Sequence, residues 1–575
     1  MIRGWISIVQ TCGLILLTNI LLAHPGPGQY PLDFFQAPVE GALLLSGTFG
    51  ELRGDHFHSG VDIKGFRGRK IVAAGKGHIA LIRVSAGGYG NVLYVQHPNG
   101  FTSVYAHLNR FPKAIADLVQ KTQLKEEKFE LEIKPDSTQF PLNQGDYLGE
   151  MGNTGYSFGP HLHFEIRETL SGKPVNPLLF GINVADQQAP MISQLRVYGL
   201  NEKSLTDYQE TFATQLVRKG QYRISKDTLF IQSSKLGVAV KSFDKLDGAR
   251  NWNGVYQIRM QVDGKERYAF EVEKFDFGEW RYLNAHVDYA DVVENNSYYN
   301  RCFRLPGNQF SGIQTDAQNG VIPLESNKAK RVIVEVSDVA GNVSSIAFWV
   351  KRDQTTQEQK LNFDYYLPYQ QQNQINNYYL KLKFPEGSFY QDLPLEYHFE
   401  QADGPETFST IHAIHHTKTP IHKPFTLQIR PSLIPHSLKE KAYIALCTED
   451  NQVINCGGSW KDDFLETKVR RFGDFSIRID TVPPAIQAED FRYDLRGRKR
   501  INFKAKDNLG TSGTARGLKY RASINGKWVL LTYDLKYNRF TYTFPADALK
   551  GEQFFRLEIT DDRNNTAVFE EKFIR

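Results

Sequence analysis

The sequence predicts a mainly β, multidomain protein, and three observations carry that expectation. The chain has 575 residues, more than one hydrophobic core supports, so roughly three or four domains are expected. Phe (38) and Tyr (28) are abundant while Met (4) is scarce, a bias that suits the half-buried face of a sheet. Short apolar runs alternate with glycine and Asn/Asp turns along most of the length, and long amphipathic helices are absent after residue 186.

The N-terminus comes first. Arg3 precedes the apolar runs Leu14-Ile15-Leu16-Leu17 and Ile20-Leu21-Leu22, which end at Ala23, and His24-Pro25-Gly26-Pro27-Gly28 then breaks any helix. This layout is that of a secretory signal peptide at residues 1–23. An uncleaved membrane anchor is the competing reading, but Gln10 and Asn19 interrupt the run and it is short for a span. Cys12 lacks the small-residue context of a lipid-attachment site. No later stretch is long or apolar enough to cross a bilayer, so the expected location is outside the cytoplasm: periplasm, cell envelope or extracellular space.

Residues 24–185 form the first expected domain. Ala42-Leu43-Leu44-Leu45, Ile79-Ala80-Leu81-Ile82 and Val92-Leu93-Tyr94-Val95 read as strands, and Gly87-Gly88-Tyr89-Gly90-Asn91 as the turn joining two of them. The charged stretch at about 109–140, with a brief helical pattern from Ala114 to Lys121, reads as an insertion between two parts of a sheet.

Two later blocks share a pattern. Asp186-Gln187-Gln188-Ala189-Pro190-Met191-Ile192 matches Asp480-Thr481-Val482-Pro483-Pro484-Ala485-Ile486, and each opens a strand-rich block. The blocks also close alike, with Glu335-Val336-Ser337-Asp338-Val339-Ala340-Gly341-Asn342 and Glu558-Ile559-Thr560-Asp561-Asp562-Arg563-Asn564-Asn565. An extended strand running into an Asp-rich turn is what a sandwich edge needs. Two related immunoglobulin-like β-sandwich modules are therefore expected at 186–352 and 481–575. Between them, after the polar linker from Asp353 to Lys360, a β-rich module is expected at 361–480, its run Gln370-Gln371-Gln372-Asn373-Gln374 polar enough for a loop.

The net charge of +5, from 69 basic and 64 acidic residues, is a thin excess over this length. It is compatible with an anionic envelope polymer, and no basic block calls for nucleic acid. Cys447 and Cys456 flank a turn and are candidates for a bridge across a hairpin, which leaves Cys302 over.

The histidines carry the chemistry. His58-Ser59-Gly60-Val61-Asp62 sets an imidazole and a carboxylate four apart, and His161-Leu162-His163 places two imidazoles on one face of a strand. Tyr105-Ala106-His107-Leu108 repeats the alternation with a single histidine. Imidazole and carboxylate are good zinc ligands, and three protein ligands plus water is a catalytic arrangement. His412, His415, His416 and His422 form the densest histidine cluster, but without Cys or matching acid spacing they do not read as a metal site; His56 and His97 read as turn residues.

Together Phe57-His58-Ser59-Gly60-Val61-Asp62-Ile63, Tyr105-Ala106-His107-Leu108 and Gly159-Pro160-His161-Leu162-His163-Phe164-Glu165-Ile166 resemble the signature of the lysostaphin/LytM-like (M23) zinc endopeptidases. Val72-Ala73-Ala74-Gly75, Gly88-Tyr89-Gly90-Asn91, Gly145-Asp146 and Gly152-Asn153-Thr154-Gly155 agree in order, and the resemblance spans about residues 40–180. It implies a LytM-like antiparallel β-sheet domain, a Zn2+ ion held by His58, Asp62 and His163, and His107 and His161 as the catalytic imidazoles. Which of these two is the base and which stabilises the oxyanion stays open. Glu165 is read as an ordinary strand carboxylate, with a supporting role at the metal as the alternative. The excursion at 109–140 is longer than the family's usual connection; it either restricts the substrate groove or is a surface feature without a catalytic role.

The resemblance implies hydrolysis of peptide cross-links or bridges of peptidoglycan, with the β-modules binding the wall or an envelope protein. Two alternatives accompany it: a peptidase acting on an extracellular protein, and a non-catalytic wall-binding scaffold that activates another hydrolase. No nucleic acid and no membrane span after signal removal are expected.

Overall fold

In the segment 45–175, short β-branched and aromatic runs are cut by Gly, Asn and Asp, and this punctuation sets the strand ends. The computed structural model describes residues 30–575 except 202–205, 327, 354–362, 402–405, 449 and 546–549. The expected signal peptide and most of the expected linker from Asp353 to Lys360 lie outside the described residues.

The first domain contains strands β1 (Leu45–Gly47), β2 (Val61–Lys64), β3 (Lys70–Val72), β4 (Gly77–Val84), β5 (Val92–Gln96) and β6 (Phe101–Ala106). β7 (Leu108–Arg110), helix α1 (Lys113–Glu126), β8 (Leu131–Ile133), β9 (Pro141–Leu142), β10 (Tyr147–Met151), β11 (His161–Glu168) and β12 (Pro174–Val175) follow. The main sheet runs β1-β2-β11-β6-β5-β4-β8, with β12 on β11 and β9 on β4; β3, β10 and β7 form a second sheet. Its pairings are antiparallel.

The excursion at 109–140 is built into this sheet. Its helix runs five residues past the helical pattern seen in sequence, as far as Glu126, and turns buried Ile115 and Val119 into the domain core. β8 then adds to β4 at the sheet edge opposite β1.

Residues 186–352 pair a five-stranded with an eight-stranded sheet around their own core. That core also takes in Phe49 and Phe57 of the first domain, so packing continues across residue 186. Residues 364–480 build a two-stranded sheet, a five-stranded sheet and five strands of a six-stranded sheet around a third core. The sixth strand, Gly510–Thr511, comes from the last block, which also pairs two four-stranded sheets around a fourth core. Among the described residues, no helix is long and apolar enough to cross a membrane.

Two local expectations change. The polar run at 370–374 is not all loop: a strand begins at Asn373 and alternates buried Asn373 and Ile375 with exposed neighbours. Burial of one face outweighs the polar composition. The cysteines Cys302, Cys447 and Cys456 are free. Cys447 faces Val453 across its hairpin while the Cys456 amide bonds the Ile444 carbonyl, so the register sets the two thiols apart.

Candidate metal centre

β11 supplies His161, His163 and Glu165 from alternate positions of one strand. In the antiparallel register His163 stands opposite Asp62 of β2 on one side and Ala106 of β6 on the other. Residues 101 apart in sequence thus become a cross-strand pair. His58 reaches the same point from the loop before β2. Its neighbour Phe57 is fully buried and stacks on Phe310 at 4.7 Å between centroids, which anchors the loop in the adjoining module's core.

Three donor atoms converge. His58 Nε2 lies 3.1 Å from Asp62 Oδ1 and 3.0 Å from His163 Nδ1, and His163 Nδ1 lies 2.9 Å from Asp62 Oδ1. Four ligands at 2.0–2.1 Å in a tetrahedron stand about 3.3 Å apart, so the spacing fits one small divalent ion.

The remaining polar atoms are held from behind, and this selects the tautomers. His58 Nδ1–H donates to the Thr48 carbonyl at 2.8 Å, which leaves Nε2 as a lone pair. His163 Nε2–H donates to Glu165 Oε1 at 2.8 Å, which leaves Nδ1 free. Arg53 occupies Asp62 Oδ2 at 3.0 Å, so Oδ1 turns to the common point. Partners of this kind fix ring orientation and raise ligand basicity.

Glu165 departs from its reading as an ordinary strand carboxylate. It is fully buried, and its Oε1 also accepts hydrogen bonds from Ser59 (2.7 Å) and Tyr89 (2.6 Å) while Arg167 holds Oε2. Burial raises the Glu165 pKa, but Arg167 and His163 outweigh it and keep the carboxylate charged. Both faces of the sheet are covered here, which the alternation along β11 could not reveal.

His107 and His161 complete the cluster, their rings 4.8 Å apart and His161 Nε2 3.5 Å from Asp62 Oδ1. His107 sits at φ +60°, a left-handed conformation that costs a non-glycine residue roughly 1–3 kcal/mol. Its N–H bonds the Tyr89 carbonyl and its Nδ1–H the Thr154 carbonyl at 2.8 Å. The loops carrying these carbonyls approach closely: a Cβ on Gly155 would fall 2.3 Å from Gly90 N, so glycine is required there. His161 Nδ1–H donates to Gly159 O at 2.8 Å.

The charges follow from burial and from one another. Burial works against the Asp62 charge, but His58 and His163 hold it well below the usual carboxylate range. Burial lowers His58. It also opposes protonation of His163, but hydrogen bonds to Asp62 and Glu165 prevail and raise the pKa to about 9, so a metal ion would take the Nδ1 position in place of a proton shared with Asp62. Burial, then repulsion from His163 and His161, pushes His107 down to about 3.

Residues 56–124 and 137–177 match the family model Peptidase family M23. The chain carries an M23 peptidase domain. The matched residues contain all five members of the cluster, and the unmatched 125–136 lie within the excursion. Residues 364–480 match the Zu5-like domain.

The M23 domain is 33% identical over 121 residues to the DD-carboxypeptidase/endopeptidase Mpg of Neisseria meningitidis serogroup B, covering 21% of this chain and 22% of that protein. It is 32% identical over 150 residues to the murein hydrolase activator NlpD of Escherichia coli K12, covering 26% and 32%. The chain thus spans about a fifth to a third of the length of these relatives. Among solved structures, it is similar to a mutant catalytic domain of the prophage-encoded M23 protein EnpA from Enterococcus faecalis (25% identity, 25% of this chain and 97% of that one, TM-score 0.20). The catalytic domain of lysostaphin from Staphylococcus simulans also matches (22% identity, 24% and 91%, TM-score 0.19).

The last module touches the M23 domain at the loop before β11. Lys536 Nζ donates to the carbonyls of Asn153 (2.6 Å) and Ser157 (2.9 Å), and Arg521 pairs with Glu127 at 2.8 Å. The other histidine cluster holds no common point. His412 bonds Tyr397 and Thr410, His415 bonds Thr419, His416 pairs with Glu396, and His422 stacks on Tyr282.

Proposed function

We propose that this chain is an exported zinc-dependent endopeptidase that hydrolyses peptide cross-links or bridges of peptidoglycan in the cell envelope. The observation that carries the reading is the convergence of His58 Nε2, Asp62 Oδ1 and His163 Nδ1, with His107 and His161 beside them. Two imidazoles and a carboxylate are a catalytic zinc donor set, and a zinc ion bound there supplies Lewis acidity toward a carbonyl and acidifies water.

The protein's own residues supply the proton handling. In their neutral forms, His107 and His161 each have Nδ1–H tied to a backbone carbonyl, so each presents an Nε2 lone pair to the site. Both are set to take a proton from water, and either becomes a donor to a leaving amine only after doing so. Burial makes the His107 cation costly, which favours His161, nearer the rim, as the first acceptor. Glu165, Thr48 and Arg53 hold the ligands in the required tautomer and orientation. The β-modules would bind the wall or an envelope partner.

The similarity to NlpD favours a second reading, a scaffold that activates another hydrolase. One experiment separates the two: mass spectrometry of fragments released from purified peptidoglycan by the zinc-loaded chain, beside a chelator control and His163→Ala. Cleaved stem peptides or bridges, lost in both controls, support the endopeptidase and name the bond. Absence of cleavage by a folded, zinc-bound chain on every wall type would reject it in favour of the scaffold, a peptidase acting on an extracellular protein, or an autoinhibited state.

A further inference from the structure

The two related modules carry the same unexplained feature at the same place. Asp186 and Asp480 lie in the segments that lead into them, and Asp338 and Asp561 directly follow the strands Lys330–Ser337 and Glu552–Thr560. The fold adds a third acid to each pair that no motif announces. Asp244 directly follows the strand Lys235–Phe243, and Asp507 directly follows Arg500–Lys506. In each triad, one carboxylate oxygen from each of the three acids lies within 4.8 Å of the others.

The surroundings repeat bond for bond. The Gln188 amide donates to Asp186 Oδ1 at 3.0 Å, and the Val482 amide to Asp480 Oδ1 at 3.1 Å. Asn342 donates its backbone and side-chain N–H groups to the two oxygens of Asp338 (2.9 and 2.8 Å), as Asn565 does to Asp561 (2.8 and 2.8 Å). The same asparagine amide reaches the carbonyl of Asp186 in one module and of Asp480 in the other.

This scaffolding holds buried carboxyl groups whose ionisation no protein cation fully compensates. Asp244 and Asp480 are each 3% exposed, and Asp244 Oδ1 and Asp480 Oδ2 have no hydrogen-bond partner. Lys441, whose charge reaches Asp480, directs its Nζ instead to the Arg563 carbonyl and Asn565 Oδ1. Burial, with repulsion from the neighbouring acids, raises Asp244 to about 8 and Asp507 to about 6. A buried carboxylate without a partner is costly unless a cation meets it.

We propose that the triads Asp186–Asp244–Asp338 and Asp480–Asp507–Asp561 are twin calcium sites, one in each related module. Each offers three carboxylates and, in the group itself, no imidazole or thiol, a set that selects a hard cation over zinc. The irregular, loop-borne arrangement suits calcium, which accepts flexible coordination, better than magnesium, which demands a near-ideal octahedron.

Position gives the sites a task. Asp186 belongs to the segment leaving the M23 domain, and Asp480 to the segment leaving the third core. A calcium ion on each triad ties the incoming segment to two strand ends of the module it enters, and so fixes both junctions. The first triad faces a cavity of ≈ 420 Å³ that is also lined by Thr48 and Asn176 of the M23 domain. Thr48 is the residue whose carbonyl holds His58, so the first junction adjoins the support of the metal centre.

The test is calorimetric titration of calcium into the zinc-loaded full chain, beside Asp244→Asn, Asp507→Asn and the double variant. The expected result is two equivalents for the parent chain, one for each single variant and none for the double. Calcium at tenfold excess over its dissociation constant should raise the melting temperature of the parent chain by roughly 2–8 °C. That scan needs no variant, so it decides the matter even if a substitution prevents folding. No calcium uptake and no thermal shift by the parent chain at millimolar calcium would overturn the proposal, as would two equivalents retained by the double variant.

Discussion

Four imidazoles meet in the M23 domain, and four more crowd the segment His412–His422. In the first group, Nδ1–H or Nε2–H of each ring is tied to a carbonyl or carboxylate from behind, so the opposite nitrogen faces inward. In the second, ring nitrogens go to Tyr397, Thr410, Thr419 and Glu396, and the rings pack on Tyr282 and Phe472. Density along the chain did not make a site. Cross-strand register and backing hydrogen bonds did, and they also bring Asp62 to a point shared by several rings, whereas the Glu396 carboxylate meets His416 alone.

That contrast can be broken most severely at His163. In His163→Ala, peptidoglycan hydrolysis should fall to the chelator-treated level while the circular dichroism spectrum is kept; retained activity would break the distinction. The second cluster should instead register acid. His412 is fully buried, and burial lowers it to about 4 from an ordinary 6.5. The unfolded chain takes up this proton near 6.5 and the folded chain only near 4. The stability is therefore fully present above 6.5 and is lost as pH falls toward 4, by about 3 kcal/mol at this one residue. Urea midpoints measured between pH 7 and 4 should show the fall, and His412→Gln should lessen it, with His415 and His422, also lowered to about 4, carrying part of the remainder.

Two smaller changes sharpen the comparison. Glu165→Gln weakens the backing of His163 and should lower zinc affinity about 10–100-fold, read by competition with a chromogenic chelator. At the other cluster, His416 keeps 58% of its side chain exposed in its pair with Glu396. His416→Ala should move stability by less than about 0.5 kcal/mol and leave zinc content unchanged.

Much of this arrangement was legible in the residues. His58, Asp62, His107, His161 and His163 stood out because motif spacing and strand alternation could be read together with the resemblance to M23 peptidases, and the structure brings all five to one place. What supports them was not legible. Glu165 read as an ordinary strand carboxylate because alternation cannot tell a solvated face from one covered by Tyr89 and Ser59. Phe57 showed no sign of entering a neighbouring core more than two hundred residues away. The opening and closing motifs of the related modules were visible, whereas Asp244 and Asp507 sit at strand ends that share no local pattern. Likewise, β8 joins the sheet edge by a pairing that composition did not announce.

If three residues of the cluster hold zinc and two carry protons, zinc content separates the two roles. It would be measured by plasma mass spectrometry on folded chains carrying His58→Ala, Asp62→Ala, His163→Ala, His107→Ala or His161→Ala, with hydrolysis assayed in parallel. The first three variants should lose zinc and activity together, while the last two keep one equivalent of zinc and lose activity alone. Stoichiometric zinc in His163→Ala, or loss of zinc in His107→Ala and His161→Ala alike, would contradict this division of roles.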